Sequence, residues 1–161
     1  MTAPLPLLNG QLIGITYHAI AAVRDRLLAA SGLTFHQSVA LNAAADGLDR
    51  ATAVTRMATT LKIDAAEGQV LLDELTAAGL IDGDPVSPAE KPSPTDRLTL
   101  TDEGDRIHRG FREAVAALTD RLYGGLPTAE RELAARALAH VTARANAELA
   151  ALDDVTQPAS R

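Results

Sequence analysis

Apolar residues recur along most of this chain at the three- and four-residue spacing of an amphipathic α-helix. The cleanest stripe follows Thr101 and consists of Ile107, Phe111, Val115, Leu118 and Leu122. Another helix is predicted from about residue 11 to residue 30, where Ser31-Gly32 ends it, and a last one opens at Pro127-Thr128. The first helix has a broad apolar arc, which indicates that a partner chain covers part of it. The pattern predicts a mainly α-helical protein with long helices at both ends.

Capping signals divide the middle of the chain into three short helices. Thr34 and Gln37 have the spacing of a capping box, so a helix should begin directly after Thr34. A second helix is predicted from about 51 to 61. Asp64 is a good N-cap for a third helix, which Gly79 closes. The three short helices fit within about 45 residues.

A proline-rich stretch follows the third short helix, with four of the eight prolines within ten residues. The apolar pieces beside it, Leu80-Ile81 and Leu98 to Leu100, are expected to pair as two strands of a small wing. The predicted fold class is mainly α: a winged helix-turn-helix lobe with a small two-stranded wing, framed by long N- and C-terminal dimerisation helices. We expect an N-terminal arm and dimerisation helix (1–32), the winged lobe (33–101), C-terminal dimerisation helices (102–155) and a disordered tail (156–161).

Composition narrows the possible chemistry. Ala and Leu make up about a third of the chain and the aromatic share is 2%, which suits close helix packing better than a sheet. The absence of cysteine excludes disulfides, zinc fingers and thiol catalysis. The four histidines lack the spacing of a metal site, and no catalytic or phosphate-loop motif appears. We expect no metal, no cofactor and no catalytic residue. The sequence leaves open whether the protein is an enzyme, and these features favour a protein that is not one.

The net charge of −6 is unevenly distributed. Residues 1–32 carry +1, residues 33–101 carry −5 and residues 102–161 carry −2, so the winged lobe is the most acidic part. Phosphate neutralisation by Lys and Arg supplies most non-specific affinity for DNA, so a lobe of this sign should bind DNA weakly or with strong salt sensitivity.

Several short motifs occur in an order that resembles the multiple-antibiotic-resistance regulator (MarR) family. They are Gly32-Leu33-Thr34 with Gln37; Met57-Ala58 with Leu61, Ile63 and Asp64; Leu71-Leu72-Asp73 with Leu75; Gly79-Leu80-Ile81; and Leu98, Leu100-Thr101 and Gly104. The resemblance covers about residues 12 to 152. It implies a homodimer joined by its first, fifth and sixth helices, recognition helices in successive major grooves, wings on the flanking DNA, and a small-molecule pocket between the dimer helices and each lobe.

The implied recognition helix departs from the family pattern because it contains no Lys or Arg and has Ala66, Glu67, Val70 and Glu74 at its aligned positions. Gln69 is its one good base reader, expected to make a bidentate contact to adenine. The residues expected to contact DNA are Arg50, Arg56, Lys62, Ala66, Gln69, Lys91 and Arg97.

Aromatic, imidazole and guanidinium groups fall on the helices that border the family's effector pocket. The residues expected to line it are Tyr17, His18, Phe35, His36, His108 and Arg112. Arg112 would pair with a carboxylate and an aromatic ring would stack on an effector ring, so the effector is expected to be anionic or aromatic.

The leading hypothesis is a homodimeric, ligand-responsive transcriptional regulator that binds double-stranded operator DNA. The alternative is a dimer of the same fold that has lost DNA binding and uses its central pocket to bind or act on a small molecule; a partner that sequesters another regulator is a third possibility. No basic segment precedes an apolar run at the N-terminus, and polar residues interrupt the apolar stretch 12–23. We therefore expect a cytoplasmic protein with no membrane partner.

Overall fold

The computed structural model describes residues 7–82 and 97–156, with side chains as far as residue 152. Six α-helices lie within these ranges: α1 Gly10–Ala29, α2 Phe35–Ala45, α3 Arg50–Leu61, α4 Ala65–Ala77, α5 Asp102–Tyr123 and α6 Thr128–Thr156. The prediction of a mainly α-helical protein is confirmed, and the helix ends lie close to their predicted positions. None of these described helices has both the length and the apolar character needed to cross a bilayer.

Capping side chains start the short helices at the predicted residues. At α2, Gln37 N donates to Thr34 Oγ1 at 3.2 Å and Thr34 N donates to Gln37 Oε1 at 3.0 Å, which completes the predicted capping box. At α4, Asp64 and Glu67 form a second capping box. Gly79 follows the end of α4 with φ +69°, a left-handed conformation that glycine adopts without steric cost. Local sequence therefore defines the start of α2 and both ends of α4.

The hydrophobic core lies where α2, α3 and α4 pack against one another, with the end of α1 beside α2. Its largest fully buried side chains are Leu28, Leu41, Met57, Leu72, Leu75 and Ile81. Small residues complete it, since Ala40, Ala43 and Ala53 are fully buried. In this core α4 packs against α2 and α3, and its remaining face is exposed to solvent.

The predicted two-stranded wing is not seen as strands in the described part of the chain. An isolated antiparallel bridge joins Ile81 to Leu100, and Asp82 N donates to Thr99 O at 2.9 Å. Within the described ranges, residues 80–82 directly follow Gly79, which terminates α4, and residues 97–100 directly precede Thr101, which caps α5. The expected proline-rich tip, including Lys91, and the tail beyond residue 156 lie outside the described residues.

A second bridge ties the same segment to the turn between α2 and α3. Asp49 pairs with Arg97, and Leu98 N donates to Leu48 O at 2.9 Å. We call residues 48–49, 80–82 and 97–100 the wing root. The wing root joins the turn before α3, the end of α4 and the start of α5.

Gly104 allows α5 to begin directly against the wing root. A Cβ at this position would stand 2.0 Å from the carbonyl oxygen of Leu80, too close for any side chain. Thr101 secures the same junction, because its Oγ1 donates to Gly79 O at 2.7 Å and accepts from Gly104 N at 3.0 Å.

The chain divides into two compact units, one ending at Ala116 and the other beginning at Ala117. The second unit contains the end of α5 and α6. Every described side chain of α6 except Ala137 is exposed, although many are apolar. The exposed large apolar residues of α6 are Leu133, Leu138, Val141, Leu149 and Leu152.

Candidate nucleic-acid interface and effector cavities

The face of α4 that meets solvent is acidic and apolar. Ala66, Glu67 and Glu74 are exposed, and Val70 between them is 54% exposed. Gln69 is half-buried at the edge of this face. The side-chain hydrogen-bond donors that α4 offers to a nucleic acid therefore lie at the edge of the exposed face and not at the centre of that face.

Arg50 is buried and joins α3 to α4. It is the first residue of α3 and is 5% exposed. Its Nη1 donates to Gln69 Oε1 at 3.0 Å and to Asp73 Oδ1 at 2.9 Å. These two acceptors lie one helical turn apart on α4, so a single guanidinium group binds successive turns. Arg50 was expected to contact DNA, but it is buried and directs this nitrogen to α4.

The other expected DNA-contacting residues of the lobe are exposed. Arg56 is paired with the Asp46 carboxylate across α2 and α3. Lys62 is exposed in the turn before α4, with φ 59°, and caps α3 through a bond from its backbone N to Ala58 O at 3.0 Å. Arg97 is exposed in the wing root. Arg56, Lys62 and Arg97 therefore have different surroundings, and the Asp46 carboxylate partly neutralises the charge of Arg56.

The six expected effector residues do not line one cavity. His108 and Arg112 line a cavity of about 420 Å³ among α2, α3 and α5, which we call the His108 cavity. Tyr17, Phe35 and His36 line another of about 350 Å³ between α1 and α2, which we call the Phe35 cavity. His18 contacts the Tyr17 ring edge-on, with ring centroids 5.4 Å apart.

The His108 cavity is polar and carries two guanidinium groups. Its polar lining consists of Asn42, Asp46, Arg56, Thr60, His108 and Arg112. His108 Nε2 lies 2.9 Å from Asn42 Oδ1, so this ring nitrogen donates. Burial lowers the pKa of His108 and Arg112 lowers it further, while Asp105 and Asp46 oppose the shift. Neutral His108 leaves one carboxylate against two guanidinium groups, so the lining carries a net positive charge.

The Phe35 cavity holds a cation against an aromatic ring. The Arg24 guanidinium carbon lies 3.7 Å from the centroid of the Phe35 ring, and Arg24 also pairs with Asp25 at 2.9 Å. The Phe35 face is therefore covered by Arg24, and a stacking ligand would have to displace that side chain.

A third cavity, of about 430 Å³, lies between the end of α1 and the start of α5 and was not expected from the sequence. Leu27, Ile107 and Phe111 form its apolar wall, and the Glu103–Arg106 ion pair lies at its edge. No group of three His, Asp or Glu among the described side chains is arranged to hold a metal ion.

Sequence reasoning missed Arg24, Asn42 and Asp73 as partners of expected site residues. Arg50 lies 19 residues before Gln69 and 23 before Asp73, and His108 lies 66 residues after Asn42. No local spacing connects such pairs. Arg50 followed directly on a predicted helix start, but nothing in the sequence indicated that it is buried.

Three short helices between long flanking helices form a helix-turn-helix arrangement, and several solved structures have a similar fold. CouR of Rhodococcus jostii RHA1 bound to p-coumaroyl-CoA matches with TM-score 0.65 and 20% identity, covering 83% of this chain and 90% of that one. A MarR-family regulator of Rhodococcus sp. RHA1 matches with TM-score 0.62 and 20% identity over 83% and 91% of the two chains. MepR of S. aureus in complex with DNA matches with TM-score 0.66 and 18% identity over 85% and 96%.

The chain therefore has the fold of the MarR-family transcription regulators, as the sequence motifs had indicated. No protein-family model matches the sequence. No curated protein matches it by sequence either.

Proposed function

We propose that this protein is a homodimeric, effector-responsive transcription regulator that binds operator DNA through α4. The observation that carries the proposal is the α3–turn–α4 unit, which presents the N-terminal half of α4 to solvent within the fold of MepR, a protein solved in complex with DNA. The N-terminal residues of a recognition helix are those that reach base edges in the major groove.

Exposed apolar residues on α1 and α6 support the homodimer. Ile15 is 61% exposed and Leu133 is 62% exposed, and further apolar side chains on both helices are open to solvent. Apolar patches of this kind on long helices are typical of a subunit interface. A homodimer would also carry two copies of α4, the number that the two half-sites of a pseudo-palindromic operator require.

The His108 cavity is the better candidate for an anionic effector. Its net positive lining favours a carboxylate, and its volume of about 420 Å³ suits a small organic molecule. Arg56 lines this cavity and is also an expected phosphate contact. An anion bound there would draw Arg56 away from DNA, which gives the effector a different affinity for the free and DNA-bound states.

The experiment is a titration of fluorescent duplex DNA from upstream of the protein's own gene at 50 and 200 mM salt. We expect the protein to bind the DNA at low salt and to bind it more weakly at high salt. Lys62→Gln should weaken binding to every sequence and make the salt slope shallower. Arg136→Gln removes the same charge from α6 and should leave both unchanged. If micromolar protein did not bind the DNA at low salt, the proposal would be wrong.

A second candidate function is a small-molecule sensor or carrier of the same fold without DNA binding. The internal pairing of Arg50 with Asp73 and of Arg56 with Asp46 favours it, because these pairs cancel positive charge in a lobe of net charge −5. Thermal stabilisation by a small carboxylate, together with no DNA binding at low salt, would establish this function. Arg112→Gln should then abolish the stabilisation.

A further inference from the structure

The side-chain amide oxygen and amide nitrogen of Gln69 have different surroundings. Its Oε1 accepts a hydrogen bond from Arg50 Nη1 at 3.0 Å. A guanidinium group has five donors and no acceptor, so the amide must turn its oxygen to Arg50 and its NH₂ group away. The orientation of the Gln69 amide therefore follows from the chemistry of its neighbour.

The bond to Arg50 should persist when α4 meets a partner. Arg50 is 5% exposed, and its other acceptor for the same nitrogen is Asp73 at 2.9 Å. Release of Gln69 would leave a buried cation with fewer acceptors, which is costly in a poorly solvated position. Asp73 is half-buried and its charge is offset by the same guanidinium.

The nitrogen end of Gln69 is accessible. In the part of the chain that the structure describes, Gln69 Nε2 has no hydrogen-bond partner and no buried side-chain nitrogen lacks one, so solvent reaches Nε2. Gln69 is the fifth residue of α4 and lies in the half of the helix that would enter a major groove.

We propose that Gln69 reads DNA as a donor alone and selects guanine over adenine. The inference rests on the proposed function. A bidentate contact to adenine requires the amide to turn both its oxygen and its NH₂ group towards one base, and the bond to Arg50 turns the oxygen towards α3 instead. Guanine presents two acceptors in the major groove, O6 and N7, which match the two hydrogens of the free NH₂ group. Arg50 is thus a positioning residue that sets base preference through Gln69.

The experiment begins with selection of binding sites from a random duplex DNA library at low salt, using wild-type protein and Gln69→Glu. The substitution replaces the outward NH₂ with an oxygen and keeps the acceptor that Arg50 binds. We expect wild type to enrich guanine at one position of each half-site and Gln69→Glu to lose that guanine. Ala77→Glu adds the same charge at the exposed other end of α4; it should weaken binding to all sequences without changing the preference.

Two further measurements test the mechanism. Replacement of that guanine by 7-deazaguanine removes N7 and should weaken wild-type binding about tenfold while leaving Gln69→Glu little affected. Arg50→Met frees the Gln69 oxygen, so guanine and adenine should become nearly equal at this position, and Arg50→Lys, which still donates, should keep guanine.

The outcomes separate the inference from the function on which it rests. Enriched sites with adenine at the Gln69-dependent position, or sites that Gln69→Glu leaves unchanged, would overturn the donor-only contact and leave DNA binding intact. No enrichment of any sequence by wild type would overturn the proposed function and this inference with it.

Discussion

Gly104 is a residue whose missing side chain is a structural requirement. A Cβ there would lie 2.0 Å from Leu80 O, whereas a Cβ at Gly110 in the same helix would meet nothing within 4 Å. We expect Gly104→Ala to lower the free energy of unfolding by about 1–3 kcal/mol, because α5 must move away from the wing root. Gly110→Ala should raise it by about 0.5–1 kcal/mol through better helix propensity. Urea denaturation of the two variants provides the comparison.

His108 should make stability depend on pH in one direction. Burial holds the pKa of His108 in the folded protein below the ordinary histidine value of about 6.5. As pH falls, the unfolded chain takes up a proton at this site before the folded chain does. The stability that neutral His108 contributes above the ordinary histidine pKa is therefore lost as pH falls through the lower pKa of the folded protein. Thermal unfolding between pH 8 and pH 5 should show a smaller loss for His108→Gln than for wild type. Parallel curves for the two proteins would contradict the assignment.

At the scale of the element, the N-cap of α4 combines a stabilising contact with an unfavourable charge. Asp64 Oδ1 accepts from Glu67 N at 2.8 Å at the end of the helix that would face DNA. Asp64→Ala should cost about 1 kcal/mol of stability because it removes the cap. Asp64→Ser keeps a capping oxygen and removes the charge, so it should retain stability and bind DNA more tightly at low salt. Chemical denaturation and DNA titration of both variants separate the two effects.

The elements were more predictable from the sequence than the contacts between them. The caps at Thr34 and Asp64 act within one helical turn, so their spacing was sufficient to place two helices. Gln69 was predicted to read a base, but the amide atom that it presents depends on Arg50, which only the packing of α3 on α4 brings near. The wing root pairs residues far apart in sequence, and the bond between Leu98 and Leu48 carries no local signal.

At the scale of the whole molecule, the exposed apolar surface predicts the assembly state. Light scattering at micromolar concentration should give twice the chain mass, because the apolar face of α6 would otherwise meet water. Leu149→Glu should shift the protein towards the monomer. Ala143→Glu, on the opposite side of α6, adds the same charge and should leave the dimer intact. A wild-type protein that is monomeric at these concentrations would contradict the proposed dimer.

The acidity of the lobe has local structural causes. Asp49 and Asp64 cap α3 and α4, Asp46 pairs with Arg56, and Asp73 pairs with Arg50. Glu74 accepts a hydrogen bond from Gln37 at 3.0 Å. Much of the negative charge thus stabilises the helices, so the excess of acidic residues does not by itself exclude DNA as the ligand.

The bond between Leu98 and Leu48 has a consequence for the order of folding. It joins residues 50 apart, whereas α2, α3 and α4 contact their neighbours across short turns. Closing the longer loop loses more chain entropy, so the helical lobe should form in the transition state and the wing root after it. Leu98→Ala should therefore speed unfolding and leave refolding almost unchanged, while Leu72→Ala should slow refolding, as stopped-flow measurements in denaturant would show.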